Sequence, residues 1–226
     1  MKSISLSDIE SAIRTVADTT IANENYFSEL DGTCGDGDFG TSLATGFRVV
    51  LGKWDSLDRT SIGSFLSAIG VIITSNVGGC SGPLWGTGFI RAGALSRGKE
   101  SITLAELGGM LRNAMAGIQA RGGASLGDKT ILDALDPIAT TIEQRAEDPE
   151  SSLLATLQEA TAKANATIET TRPWTARRGR QSFTGERSAG TLDPGVVAIA
   201  TIVQALAARS APTNSEQISA SSNAQT

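Results

Sequence analysis

Apolar residues in this chain recur at helical spacing almost from end to end, and that periodicity is the strongest constraint on its fold. The first predicted helix opens at a Ser7-x-x-Glu10 capping box and carries Ile9, Ile13, Val16 and Ile21 on one face. Further helices are predicted over Gly40–Gly52, Ser61–Asn76 and Leu84–Arg97. A second capping box, Thr103-x-x-Glu106, opens a fifth helix bearing Leu104, Leu107, Leu111, Met115 and Ile118. A sixth spans Asp128–Ala146, with Asp128 as its N-cap and Pro137 expected to kink it. A seventh spans Ser151–Thr170, and an eighth runs from Pro194, a favoured first-turn residue, to Arg209. No strand alternation and no fixed repeat accompany them. The fold class expected is all-α: an eight-helix bundle or barrel. At 226 residues and 23.3 kDa the chain fits one domain, placed at 1–209. Residues 210–226, polar and rich in Ser and Asn, are expected to be a disordered tail.

The connections carry more information than the helices. Three, Lys53–Thr60, Gly98–Ile102 and Glu147–Glu150, are short and polar. The other four hold glycine and reactive side chains: LDGTCGDGDFGTS, NVGGCSGPLWGTG, ARGGASLGDKT and RPWTARRGRQSFTGERSAGTLDPG. Each precedes an even-numbered predicted helix. If neighbours pack antiparallel, all four meet at one end of the bundle, each feeding a helix N-terminus. Free N–H groups and the positive end of the helix dipole suit such a place to phosphate.

Composition removes several alternatives. The chain has no histidine, so it holds no histidine-based triad, histidine metal site or phosphohistidine. Only ten aromatics (Phe 6, Trp 3, Tyr 1) accompany 25 glycines, poor material for a β-sandwich. A net charge of −5 and a pI near 4.9 leave no global nucleic-acid footprint. Cys34 and Cys80, without a CxxC, suit a reducing compartment, and both are expected to be small buried side chains. The N-terminal segment lacks an apolar stretch and no run of 18 apolar residues occurs, so a soluble cytoplasmic protein is expected, with no membrane partner.

Asp31, Asp36 and Asp38 place three carboxylates within eight residues, spaced by glycines. They repel one another unless a cation lies among them, and an oxygen-only set suits Mg²⁺, particularly Mg²⁺ shared with phosphates. An EF-hand is excluded: the twelfth position from Asp36 is Phe47 and the sixth is not glycine. Ordinary turn chemistry, with Asp38 as a plain N-cap, is the alternative. Gly78-Gly79-Cys80-Ser81-Gly82-Pro83 would let a ligand approach the backbone, or serve as a flexible turn. Gly122 and Gly127 have the spacing of a P-loop, but Asp128 stands where its lysine belongs and no strand precedes, so that motif is rejected; Gly122 and Ile131 could still touch a ligand. The last connection is 24 residues long and carries Arg172, Arg177, Arg178, Arg180 and Arg187. A basic cluster facing a carboxylate–metal site would hold a polyphosphate; a solvated charged loop is the alternative.

Five pieces in order — Leu30-Asp31 with Gly35-Asp36-Gly37-Asp38-x-Gly40, Gly78 to Leu84, Gly127-Asp128-Lys129-Thr130, Gly185-Glu186-Arg187-Ser188, and Asp193-Pro194-Gly195 — resemble the L subunit (DAK2-type) of dihydroxyacetone kinase over about residues 5–209. The resemblance implies an eight-helix antiparallel barrel with nucleotide and two Mg²⁺ at one end. It implies Asp31, Asp36 and Asp38 as metal ligands. It places Phe39, Gly40, Thr41 and Ser42 at phosphates, and Cys80, Ser81, Gly122, Ile131, Arg180, Asp193, Pro194 and Gly195 at ADP or ATP. The implied reaction is phosphoryl transfer to dihydroxyacetone held covalently by a separate K subunit through that subunit's histidine. No nucleophile is then needed on this chain, and Arg180 is a supporting residue. A phosphotransferase-system phosphocarrier is the second implied partner, and a homodimer stays open. Two positions depart from the family pattern: Phe39 and Thr191 stand where histidines are usual, and Phe39 cannot donate a hydrogen bond to phosphate. The other readings kept are an ATP-dependent kinase subunit for a four-carbon ketose, a nucleotide-loaded module binding a transcription regulator, and a structural bundle with incidental glycine loops.

Overall fold

The computed structural model describes residues 3–210; the expected tail beyond Ser210 lies outside them. The all-α expectation holds. Nine α-helices are present among the described residues: α1 (Leu6–Ala22), α2 (Glu24–Gly32), α3 (Phe39–Gly52), α4 (Ile62–Asn76), α5 (Ser81–Ala94), α6 (Leu104–Gly122), α7 (Ile131–Ala146), α8 (Leu153–Thr171) and α9 (Pro194–Ser210). Eight follow the predicted segments. The ninth, α2, has only Phe27 and Asp31 buried within nine residues, too short an apolar pattern to announce a helix.

Leaving α2 aside, each helix packs on the next in chain order, and α9 returns to α1, which closes the ring. The short helix α2 sits against α3 and α9. Inside the ring, Phe27, Leu43, Phe47, Phe65, Ile69 and Val196 are fully buried in one apolar cluster. Helices of 14 to 19 residues are about 20–28 Å long, so the two ends of the ring are well separated.

The closest packing is between α4 and α5. A Cβ on Gly70 would lie 2.7 Å from the Gly86 carbonyl, and one on Gly86 would lie 2.6 Å from the Gly70 carbonyl. Gly63 and Gly93 repeat this reciprocal contact at 2.6 and 2.8 Å. Only glycine permits this backbone approach, and the paired helices hold the connection between them, residues 77–80, as a short tight turn.

Helix boundaries show where local signals misled. The capping box of α1 is Ser5 with Asp8, not Ser7 with Glu10. The helix starts earlier because Ile4–Ser5 pair antiparallel with Ser101–Ile102, a two-residue ladder that fixes the entering chain. Glu10 instead pairs with Arg59. The box Thr103/Glu106 on α6 is present as expected. Helix α5 begins at Ser81, three residues before the expected start, with Pro83 in its first turn where no N–H bond is required. Helix α7 is capped by Thr130 with Asp133, not by Asp128; the Asp128 side chain accepts from the Ser125 N–H at 2.8 Å. Pro137 lies inside α7, which runs unbroken. Cys34 is buried as expected, but Cys80 is exposed.

Candidate functional site

Alternate helices α3, α5, α7 and α9 bring their N-terminal ends to one cavity of about 720 Å³, a size suited to a small-molecule ligand. All four glycine-bearing connections contribute to its wall. The convergence expected from chain order is therefore present.

At one side stand Asp31, Asp36 and Asp38. One carboxylate oxygen from each lies within 4.8 Å of the others. Asp31 is not in a loop: it ends the buried face of α2, and its carbonyl accepts from Gly35 at 2.5 Å and Cys34 at 3.2 Å. Gly35 is required here, since a Cβ would fall 2.8 Å from the Asp31 carboxyl carbon and carbonyl oxygen. The left-handed turn at Gly37 (φ 75°) then returns the chain toward α3, and the Phe39 N–H donates to Asp31 Oδ2 at 3.3 Å. Asp38 occupies the N-cap position of α3 but makes no side-chain cap bond, so its carboxylate is free of the plain capping role. Burial raises the Asp31 carboxyl pKa above its ordinary value, and the Asp36 and Asp38 charges add to this. Asp38 is raised by burial and by Asp36, against the pull of Arg180. Three mutually repelling carboxylates with oxygen donors suit a hard divalent cation such as Mg²⁺.

Across from them Arg180 pairs with Asp36 through Nη1, with Nη2 4.0 Å from Asp38. Arg180 opens a 3₁₀ stretch, Arg180–Ser188, broken at Gly185, so the long connection is structured. Arg177 and Arg178 also line the cavity; Arg178 Nε lies 3.6 Å from Asp128. Arg172 and Arg187 do not line it, and Arg172 pairs with Glu169. The basic cluster expected from sequence thus contributes three of its five members.

Leu84, Trp85, Ile118, Ile131 and Pro194 give the wall an apolar part, beside polar residues such as Arg121, Thr130 and Gln181. Gly195 touches Ile131, where a Cβ would meet Cγ2 at 2.5 Å. Asp193 accepts from the Val196 N–H at 2.8 Å. Burial pushes its carboxyl up to about 6, against that bond and the Lys129 charge. Cys80, Ser81, Gly122, Ile131, Arg180 and Asp193 to Gly195 all line the cavity, as does Phe39. Gly40, Thr41 and Ser42 do not. Gly40 is buried against α2, the Thr41 N–H donates to Ser28 Oγ at 3.2 Å, and the Ser42 hydroxyl faces Gly78. Phe39 is mostly in the core, its ring 6.3 Å from that of Phe27. Thr191 donates to the Ser188 carbonyl at 2.7 Å. Trp85, Arg121 and Lys129 also line the cavity, beyond the residues that the sequence points to. Trp85 and Arg121 stand within two of the glycine-bearing stretches, but the structure places them on α5 and α6, and no residue type or spacing marks them as site residues.

Comparison with known proteins places this architecture. Residues 33–208 match the DAK2 domain family. The chain is 36% identical to the ADP-binding subunit DhaL of the PEP-dependent dihydroxyacetone kinase of Escherichia coli K12, over 91% of this chain and 97% of that subunit. It is 39% identical to the ADP-binding subunit DhaL of PEP-dependent dihydroxyacetone kinase 2 of Listeria innocua, over 76% of this chain and 79% of that one. Among solved structures it is similar to the dihydroxyacetone kinase of C. freundii, 27% identical, with a TM-score of 0.71 to the native form over 89% of this chain. The complex of that kinase with AMP-PNP and Mg²⁺ gives 0.69 over 88% of this chain. The chain spans about a third of that longer protein, 34% and 33%. An all-helical ring whose alternate N-termini surround three aspartates, matched over most of its length, belongs to the DAK2-domain family, the family of the nucleotide-binding L subunits of dihydroxyacetone kinases.

Proposed function

We propose that this chain is the ADP-binding subunit of a dihydroxyacetone kinase, a phosphotransferase acting on an alcohol group. It would receive a phosphoryl group on bound ADP and deliver it to a short ketose held by a separate K subunit. The observation that carries the reading is the face-to-face placement of Asp31, Asp36 and Asp38 against Arg180 across one cavity. The relatives named as ADP-binding subunits of PEP-dependent kinases support it, as does the AMP-PNP and Mg²⁺ complex of the C. freundii enzyme.

The three aspartates would hold Mg²⁺, two ions in this reading, which would supply positive charge to neutralise the phosphates. The chain's own residues do the positioning. The apolar wall of Leu84, Ile118 and Ile131 receives the base; the free N–H groups at the starts of α5 and α9 face the polar part of the nucleotide. Arg180, Arg177 and Arg178 balance the charge of the phosphates. No residue here serves as a nucleophile, consistent with a chain without histidine. Phe39, packed on Phe27, leaves the phosphate end with one donor fewer than a histidine would supply.

The PEP-linked relatives favour a phosphocarrier protein over free ATP as donor, and dihydroxyacetone over a four-carbon ketose. No specific observation favours a regulatory module or an incidental bundle. No helix among the described residues is long and apolar enough to cross a membrane, and a cytoplasmic setting completes the proposal. The cavity is built within one chain, so a homodimer is not needed to complete it; sedimentation reads its presence directly. The deciding experiment combines native mass spectrometry with a transfer assay. Co-purified ADP with Mg²⁺, and transfer to dihydroxyacetone with the K partner and phosphocarrier, is the expected result. Absence of both nucleotide binding and transfer from either donor overturns the reading.

A further inference from the structure

Lys129 is the one lysine among the described residues that lies in the buried interior, and it has no exposed surface. It is also the only non-glycine among the described residues with positive φ, at 63°, a conformation that costs an L-residue energy and persists only where its surroundings demand it. An ammonium has three N–H donors. All three are spent on backbone carbonyls: Arg172 at 3.2 Å, Trp174 at 2.9 Å and Ser188 at 2.7 Å. No carboxylate pairs with it directly; Asp193 acts on it at longer range and opposes the effect of burial, which lowers its pKa.

Those carbonyls are not scattered. Arg172 and Trp174 begin the arginine-bearing connection and Ser188 lies at its far stem. The Gly190 N–H donates to the Arg172 carbonyl at 2.8 Å, and the Ala176 N–H donates to Ser188 Oγ at 2.9 Å, so the two stems also touch each other. The backbone beside Lys129 is joined to the same segment, since the Arg177 N–H donates to the Asp128 carbonyl at 3.0 Å. One residue further on, Thr130 caps α7 and Ile131 meets Gly195 at the start of α9. Carbonyl oxygens gathered at one point repel one another, and a buried ammonium, with three donors on one atom, satisfies all three at once.

We infer that Lys129 is a positioning residue: its ammonium clamps both stems of the segment 172–190 to the start of α7, and so fixes where Arg177, Arg178 and Arg180 stand opposite the aspartates. It is not a ligand-binding residue, because no donor remains. The consequence for nucleotide rests on the function proposed above; the clamp itself does not.

Lys129→Met keeps the unbranched stem of the side chain and removes the ammonium. In the full chain, limited trypsin cleavage after Arg177, Arg178 and Arg180, followed by mass spectrometry, should quicken about tenfold or more, as expected for loss of charged hydrogen bonds. Cleavage at lysines and arginines elsewhere should stay near the wild-type rate. ADP·Mg²⁺ affinity should fall about tenfold by calorimetry, while Mn²⁺ binding, measured with the metal alone, is undiminished because Asp31, Asp36 and Asp38 sit on other elements. A purely structural role would instead raise cleavage everywhere and impair metal binding along with nucleotide. Wild-type cleavage in this segment, or uniform acceleration across the chain, overturns the inference. Should Lys129→Met fail to fold, Lys129→Gln, whose shorter neutral amide cannot satisfy all three carbonyls, takes its place: segment-specific acceleration supports the clamp, and an unchanged pattern overturns it. Failure of the wild-type chain to bind ADP would refute the proposed function while leaving the cleavage test decisive.

Discussion

The two ends of the helical ring are built on opposite electrostatic principles. At the cavity end, like charges face one another: Asp31, Asp36 and Asp38 lie within 4.8 Å, and burial holds Asp31, Asp38 and Asp193 above the ordinary carboxylate range. At the far end, opposite charges are matched. Arg59 donates to Glu10 at 2.5 Å, to the Leu57 carbonyl at 2.9 Å and to the Trp54 carbonyl at 2.7 Å, with Arg14 4.0 Å over the Trp54 ring. Lys99 pairs with Glu106, and that bond above all holds the Glu106 carboxyl down at about 2. The far end is satisfied by its own residues. At the cavity end a single arginine, Arg180, faces a cluster of three carboxylates, and such an arrangement is kept where a ligand completes it.

Substitutions that separate the two ends sharpen this contrast. The largest effect is expected for Asp36→Ala: transfer with the K partner should drop roughly 10²–10³-fold, while the thermal midpoint without metal changes little, because loss of the exposed Arg180 pair is offset by removal of a repelling charge. A clear loss of stability would break the contrast. Arg180→Ala should weaken ADP·Mg²⁺ about 10- to 100-fold by calorimetry, with little change in unfolding. Arg59→Ala is the mirror case: about 1–2 kcal/mol of stability lost in denaturant unfolding, and nucleotide affinity unchanged.

Acidity should move the two ends in opposite directions. Asp193 has a folded pKa of about 6, above the 3.8 of its reference state, so between those values the folded chain binds more protons than the unfolded one. Its destabilising contribution is complete above pH 6 and vanishes below pH 4; midpoints should rise modestly from pH 7 to 5. Asp193→Asn, which retains a capping oxygen for Val196, should flatten that rise. Glu106 has a lowered pKa, so its contribution is intact above its ordinary 4.5 and is lost as pH falls toward 2. Lys99→Ala should remove part of that acid-limb loss, the smallest effect of the series since both side chains are exposed.

The helical segments were legible because each of the eight carries its own apolar face, and Thr103 with Glu106 announces a start within four residues. The cavity was legible because its chemistry clusters in chain order. Three features were not. Helix α2 has too few buried residues to show a period, and it forms because α3 and α9 cover it. The start of α1 was displaced by a two-residue pairing with a segment about 97 positions away. Cys80, taken for a buried residue, is exposed because the α4–α5 glycine contacts confine its turn to the surface at the cavity.

Sequence alone therefore determined the helical class, the four reactive connections, the three aspartates and the exclusion of histidine chemistry, since all of these reside in local order and residue type. Only the tertiary structure decided which arginines reach the aspartates, that Phe39 belongs mainly to the core beside Phe27, and that Lys129 gathers carbonyls from residues 43 to 59 positions away. The reason is physical: periodicity and capping act within a few residues, whereas a buried ammonium or a shared cavity depends on what other elements place around it.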